Sequence, residues 1–130
     1  MIVLDTHIWL WWVNQDSKNL KPDWMSRIQS PEDVGVSAIS CFEVAWLERH
    51  NRIILPCSRQ EWFEKALIGS GITLLPVSPA IASLAVDLYE HHSDPQDRII
   101  IATALAYKST LISADGKFPL YTELTGLLLS

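Results

Sequence analysis

The chain reads as an α/β fold: a three-layer α/β/α sandwich around a mainly parallel sheet of four to five strands. Three observations predict it. Short Ile/Val/Leu-rich runs alternate with longer helical segments from one end to the other. Those runs are continuous rather than alternating apolar and polar, as expected of strands covered on both faces. Helix starts are marked by cap-then-proline signals at Ser78-Pro79 and Asp94-Pro95. No repeat, linker or low-complexity stretch interrupts the pattern. At 130 residues the sequence makes one domain, residues 1–130, with enough chain for a full core.

The elements follow in order. Ile2 to Asp5 is a first buried strand, and Thr6 to Val13 a first helix. Pro22, at a first helical position, opens a second helix through Gln29. Val34 to Ser37 is the second strand, followed by a helix from Cys41 to about His50, capped by Ser40. Ser58 caps a helix from Arg59 to about Gly69, with Glu61 completing a capping-box pattern. Ile72 to Leu75 is the third strand. Ser78-Pro79 starts a helix to about His91, and Asp94-Pro95 starts one ending near Lys108. Thr110 to Ser113 is the fourth strand, and Gly126 to Leu129 a short fifth.

Composition narrows the function classes. Apolar residues make up 48% and charged residues 19%, the balance of a globular domain rather than a disordered one. No apolar run spans a bilayer, and Asp5 and His7 interrupt the N-terminal one, so neither a signal peptide nor a membrane helix fits. Cys41 and Cys57 form no Cys-x-x-Cys pair, which points to reduced thiols in a cytoplasmic protein and away from a zinc site. A net charge of −5 argues against a general nucleic-acid binder, unless bound cations cancel part of it. The basic residues are not evenly spread: Arg49, His50 and Arg52 sit together, where a phosphate backbone can be met locally.

Four acids stand near the ends of apolar runs: Asp5, Glu43, Asp97 and Asp115. Each has a local structural reading. Asp5 can cap the first helix, Ser40 to Glu43 fits a capping box, Asp97 suits a helix dipole behind the Asp94 cap, and Asp115-Gly116 suits a turn. Together they carry a different message. Parallel strands would bring all four to the carboxyl edge of one sheet, where α/β folds bind ligands. At about 5 Å and an effective dielectric near 20, each ionised pair costs roughly 3 kcal/mol. Ser, Thr or Asn would cap as well without that repulsion. A hard divalent cation, Mg²⁺ or Mn²⁺, is the compensation that oxygen ligands suggest.

Four segments carry a family resemblance: Leu4-Asp5-Thr6-His7; Ser37-Ala38-Ile39-Ser40 leading to Glu43-Val44; Asp94-Pro95-Gln96-Asp97-Arg98 leading to Ile101-Ala102-Thr103-Ala104; and Leu111-Ile112-Ser113-Ala114-Asp115. In this order they resemble the successive motifs of PIN domains, nearest to the VapC-type toxins of bacterial and archaeal toxin–antitoxin pairs. The resemblance implies a Mg²⁺- or Mn²⁺-dependent ribonuclease. In it Asp5, Glu43 and Asp97 match the core metal-binding acids, and Asp115 matches a fourth that works through water or at a second metal position. Thr6 and Ser113 stand where small hydroxyl residues support such a site. It further implies a homodimer and a cognate antitoxin that wraps the toxin and blocks its acidic pocket. The reaction expected is hydrolysis of an RNA phosphodiester by a water that the cation activates.

Other residues carry narrower expectations. Asp94 reads first as an N-cap. Arg98 either meets a phosphate or forms a surface ion pair with Asp94 or Glu90. His7 is expected near the site on the first helix, and His91-His92 at a helix C-terminus; paired histidines would offer a metal-free route to RNA cleavage. The first helix, Ile8-Trp9-Leu10-Trp11-Trp12-Val13, is apolar all round, so Trp11 or Trp12 is expected to reach a protein partner. Trp46, Trp62 and Phe63 read as core or groove-lining residues. Rival functions are weaker. A receiver-like regulatory module needs an acid ending the third strand, which Ile72-Thr73-Leu74-Leu75-Pro76 lacks. PIN-fold nucleases of RNA maturation or of DNA usually add domains for which 130 residues leave no room. A purely binding member of the family would not need all four acids.

Overall fold

The computed structural model describes residues 1–91 and 93–130; His92, and with it half of the expected histidine pair, lies outside the described residues. Strands β1 (Ile2–Leu4), β2 (Val34–Ser37), β3 (Ile72–Leu75), β4 (Thr110–Ile112) and β5 (Leu128–Leu129) form a five-stranded sheet in the order β3-β2-β1-β4-β5. Every pairing is parallel, with Ile2 opposite both Val34 and Thr110 and Leu4 opposite Ile112. Helices are α1 (Thr6–Val13), α2 (Pro22–Ile28), α3 (Ala38–Arg49), α4 (Arg59–Ala66), α5 (Pro79–Asp87) and α6 (Pro95–Ala106).

Alternation along β1 divides the interior into two cores. Ile2 and Leu4 face one side and pack with Ile8, Trp9, Trp24, Val44 and Trp62. Val3 faces the other and packs with Ile81, Ile100, Ile101, Leu111 and Phe118. That is the three-layer arrangement expected. Central strands β1 and β2 are buried throughout, whereas β3, at the sheet edge, exposes Thr73 and Leu74. Covering on both faces therefore holds for the centre and fails at the edge.

Three helix boundaries lie about three residues or more from where the sequence puts them. Helix α3 begins at Ala38 rather than Cys41, because Ser37, the last residue of β2, is itself the cap and accepts a bond from the Ile39 backbone N–H. Ser40 and Glu43 are thereby freed from the capping box assigned to them. Helix α5 stops at Asp87 and not near His91. The carbonyls of Val86, Leu88 and Tyr89 accept hydrogen bonds from the Arg98 guanidinium instead of continuing the helix. His91 consequently lies past the helix and packs edge-on against Tyr121. Helix α4 ends at Ala66, with a 3₁₀ turn over Ile68–Ser70 closing the segment. Among the described residues no helix is long and apolar enough to cross a membrane.

Candidate active site

Strand order decides where a cleft forms. Beyond β1 the chain runs into α1 on one face, and beyond β4 it runs toward Phe118 and Tyr121 on the other. The crevice between β1 and β4 is thus the point at which the winding reverses, the usual ligand position of open α/β sheets. There a cleft of about 340 Å³ is lined by Asp5, His7, Trp11, Glu43, Asp97, Ala114 and Asp115. All four acids singled out in the sequence border it.

Each is delivered by a different element. Asp5 immediately follows β1, and its backbone N–H extends the ladder to Ile112 O at 3.0 Å. Its side chain caps α1, Oδ1 accepting from Thr6 N–H at 2.8 Å, while Oδ2 accepts from Ser113 Oγ at 2.6 Å. Ser113 in turn accepts the Asp115 N–H at 3.0 Å, so one hydroxyl ties the ends of β1 and β4 together. Asp115 forms the expected turn, Oδ1 accepting from Lys117 N–H. Asp97 sits in the first turn of α6 behind the Asp94 cap, whose Oδ1 accepts from Gln96 N–H at 2.9 Å. Capping and cleft-lining are therefore not rival roles here; Asp5 does both.

Glu43 is held differently. Its Oε1 lies 2.9 Å from Thr6 Oγ1, which lies 2.9 Å from the fully buried Ser40 Oγ. Thr6 has one proton to give. When Glu43 is ionised that proton goes to the carboxylate, and the Thr6 oxygen accepts from Ser40. In sequence Ser40 has the look of a cap, which hides its part as a support of Thr6. Its signal was the i, i+3 spacing to Glu43, which puts both on one face of α3. Trp11, four residues beyond His7 and expected from the sequence to meet a protein partner, also lines the cleft; its ring stacks on Trp24 with planes 15° apart.

Arg98 is not a surface group. It is 9% exposed, and its guanidinium nitrogens lie 2.6–3.1 Å from the carbonyls of α5 and its exit. Trp46 is not core: it is exposed on α3, whereas Trp62 is buried and Phe63 packs against the core.

Electrostatics tie the cluster together. Burial pushes the Asp97 carboxyl up to about 8, helped by Asp5, Asp94, Glu43 and Asp115. Burial raises Asp5 as well, against the Ser113 and Thr6 bonds that favour its charge. It raises Glu43 too, against the Thr6 bond. Asp94 therefore acts as more than a cap, since its charge reaches both Asp97 and Glu43. Among the described residues no three His, Cys, Asp or Glu side chains converge at the spacing of a closed coordination shell. The donor chemistry nevertheless fits a hard divalent cation. All the donors are oxygens, each Asp5 oxygen keeps a lone pair beyond the bond it accepts, and burial first and the neighbouring carboxyls second raise Asp97.

Residues 2–124 match the PIN domain family profile. The chain belongs to the PIN-domain family. Among relatives of this PIN domain, Ribonuclease VapC22 of Mycobacterium tuberculosis is 30% identical over 88% of the chain and 86% of the relative. The fold is similar to that of a chain in a toxin–antitoxin complex from Klebsiella pneumoniae, with a TM-score of 0.64 at 20% identity, covering 100% of this chain and 97% of that one. It is also similar to a chain of VapBC2 from Rickettsia felis bound to a promoter DNA fragment, with a TM-score of 0.69 at 17% identity, covering 99% and 98%. At those identities the two structures speak for the PIN fold alone.

Proposed function

We propose that this PIN domain is a divalent-metal-dependent endoribonuclease and the toxin of a toxin–antitoxin pair. The observation that carries the reading is the single cleft at the β1/β4 switch point bordered by Asp5, Glu43, Asp97 and Asp115. The similarity to Ribonuclease VapC22 supports RNA as the substrate.

Asp5, Glu43 and Asp97 would hold Mg²⁺ or Mn²⁺, with Asp115 at its margin completing the oxygen set or orienting water. Such a cation, when bound, acidifies water and neutralises charge that develops on the phosphate being cleaved. The protein's own part is orientation. Thr6 fixes one oxygen of Glu43, which borders the cleft. Ser113 fixes Asp5 and positions the backbone of Asp115. The indole of Trp11 walls the cleft. We further infer a cytoplasmic protein that forms a homodimer and is neutralised by an antitoxin over this pocket. The part-exposed Trp11, Trp12 and Val13 of α1 support a protein partner.

RNA cleavage with and without Mn²⁺, compared with the Asp5→Asn variant, tests the reading. Cleavage should need the ion and vanish in the variant. Cleavage in EDTA, or full metal-dependent activity in Asp5→Asn, would overturn it, the former in favour of a histidine route through His7.

A further inference from the structure

Helix α3 continues past the cleft with an aromatic and cationic strip that neither core uses. Trp46 and His50 stand three and seven positions after Glu43, a spacing that keeps side chains on one helical face. Trp46 lies roughly 5 Å along the axis from Glu43, at about 1.5 Å per residue. It is 42% exposed, and Phe42, one turn before it, is 56% exposed. His50 stacks on the Trp46 indole, centroids 4.0 Å apart, and its Nδ1–H donates to the Trp46 carbonyl at 2.8 Å. The Arg52 guanidinium lies 6.0 Å from the same ring. Arg49 and Arg52 are exposed, and among the described residues neither forms an ion pair. The one acid between them and Trp46, Glu48, is engaged by Arg59 at 2.7 Å. In a chain of net charge −5, this end of α3 is locally positive.

We propose that Phe42, Trp46, His50, Arg49 and Arg52 form a platform for single-stranded RNA that leads into the acidic cleft at Glu43. Bases stack on the exposed aromatics, which is tolerant of sequence because every base has a π-face. The guanidinium groups meet the flanking phosphates. A polyanion approaching four carboxylates needs positive charge outside the cleft, and this strip supplies it on the element that carries Glu43. An apolar protein partner would have no use for cations flanking the indole. The proposal rests on the nuclease reading for the direction in which the strand runs, but binding to the platform requires no metal.

The test is fluorescence anisotropy of a labelled oligouridylate with the Asp5→Asn variant, which keeps the RNA uncut. The variant should bind, and adding Trp46→Ala should weaken binding about tenfold or more, while Trp46→Phe keeps most of it. Arg52→Gln should weaken binding and lower the slope of log affinity against log salt by about one. Trp46→Phe and Arg52→Gln carry the test if Trp46→Ala fails to fold by circular dichroism. No binding of the oligouridylate overturns the proposal, as does unchanged affinity in folded Trp46→Ala and Arg52→Gln. A Trp46→Ala variant that binds RNA normally but sediments as a smaller species than its parent overturns it in favour of a contact between two copies of the chain. RNA binding without metal-dependent cleavage by the parent chain would sink the nuclease reading and leave the platform standing.

Discussion

Thr6 Oγ1 stands 2.9 Å from Glu43 Oε1, a contact between the first residue of α1 and the middle of α3 that sets the orientation of one cleft carboxylate. With Ser40 Oγ a further 2.9 Å behind, the three groups form a line in which the carboxylate's charge decides the direction of both protons. Thr6→Val should lower Mn²⁺ affinity about 10- to 100-fold, the usual range for groups that orient metal ligands. Isothermal titration calorimetry reads it without reference to turnover. Ser40→Ala should reduce affinity less, and should add nothing in a Thr6→Val background, because Ser40 acts only through Thr6. Additive losses would mean that Ser40 supports α3 in some other way.

A second hydroxyl, that of Ser113, joins Asp5 and Asp115 across the switch point. Ser113→Ala removes the donor to Asp5 Oδ2 and the acceptor for Asp115 N–H at once. A lost bond to a charged group is worth about 1.5–3 kcal/mol. Mn²⁺ affinity should therefore fall at least tenfold, and kcat with it, and the melting temperature should drop by about 5–10 °C. A variant with unchanged calorimetry would show that Asp5 keeps its orientation through the α1 cap alone.

Asp97 makes the metal-free fold sensitive to pH with a definite sign. Its carboxyl ordinarily titrates at 3.8 and is pushed up to about 8, first by burial and then by the neighbouring acids. Between those values the folded chain holds a proton that the unfolded chain has lost, so stability falls as pH rises through the window. Asp5 and Glu43, also raised, act in the same sense. In EDTA the melting temperature should fall from about pH 5 to about pH 8, and Asp97→Asn should flatten that slope and raise stability at pH 8 by about 1–2 kcal/mol. Because ligand carboxyls bind metal deprotonated, Mn²⁺ should stabilise the parent chain more at pH 8 than at pH 5. A melting temperature that rises with pH in EDTA would contradict the placement of Asp97 among four other acids.

Much of this was legible in the residues. The continuous runs Ile2-Val3-Leu4 and Val34-Gly35-Val36 fixed buried parallel strands, and Pro22, Pro79 and Pro95 marked helix starts that the structure reproduces. Acids near strand and helix ends then had to meet at one sheet edge. The losses came where long-range partners override local signals. Ser40 looked like a cap because Ser-x-x-Glu is a capping pattern, but Ser37, at the turn from strand to helix, took that role and left Ser40 to reach Thr6. Nothing local in α5 announces its early end, since the group that ends it, Arg98, comes from the next helix. Trp46 reads as a core or groove-lining residue, yet α3 leaves it exposed beside His50.

Arg98 gives the last prediction, because its guanidinium closes α5 and at the same time anchors the first turn of α6, where Asp97 sits. Three carbonyls, those of Val86, Leu88 and Tyr89, accept from it at 2.6–3.1 Å in a setting that is 9% exposed. Arg98→Met fills a similar volume but strands those carbonyls, and each buried unsatisfied acceptor costs about 1–3 kcal/mol. The expected loss is about 3 kcal/mol or more, measured by urea unfolding. Arg98→Lys should recover only part of it, because a compact ammonium cannot span three acceptors that a planar fork reaches together. If Arg98 instead served a phosphate, both variants would fold with parental stability and lose RNA binding, and the two outcomes separate cleanly in one denaturation series and one anisotropy titration.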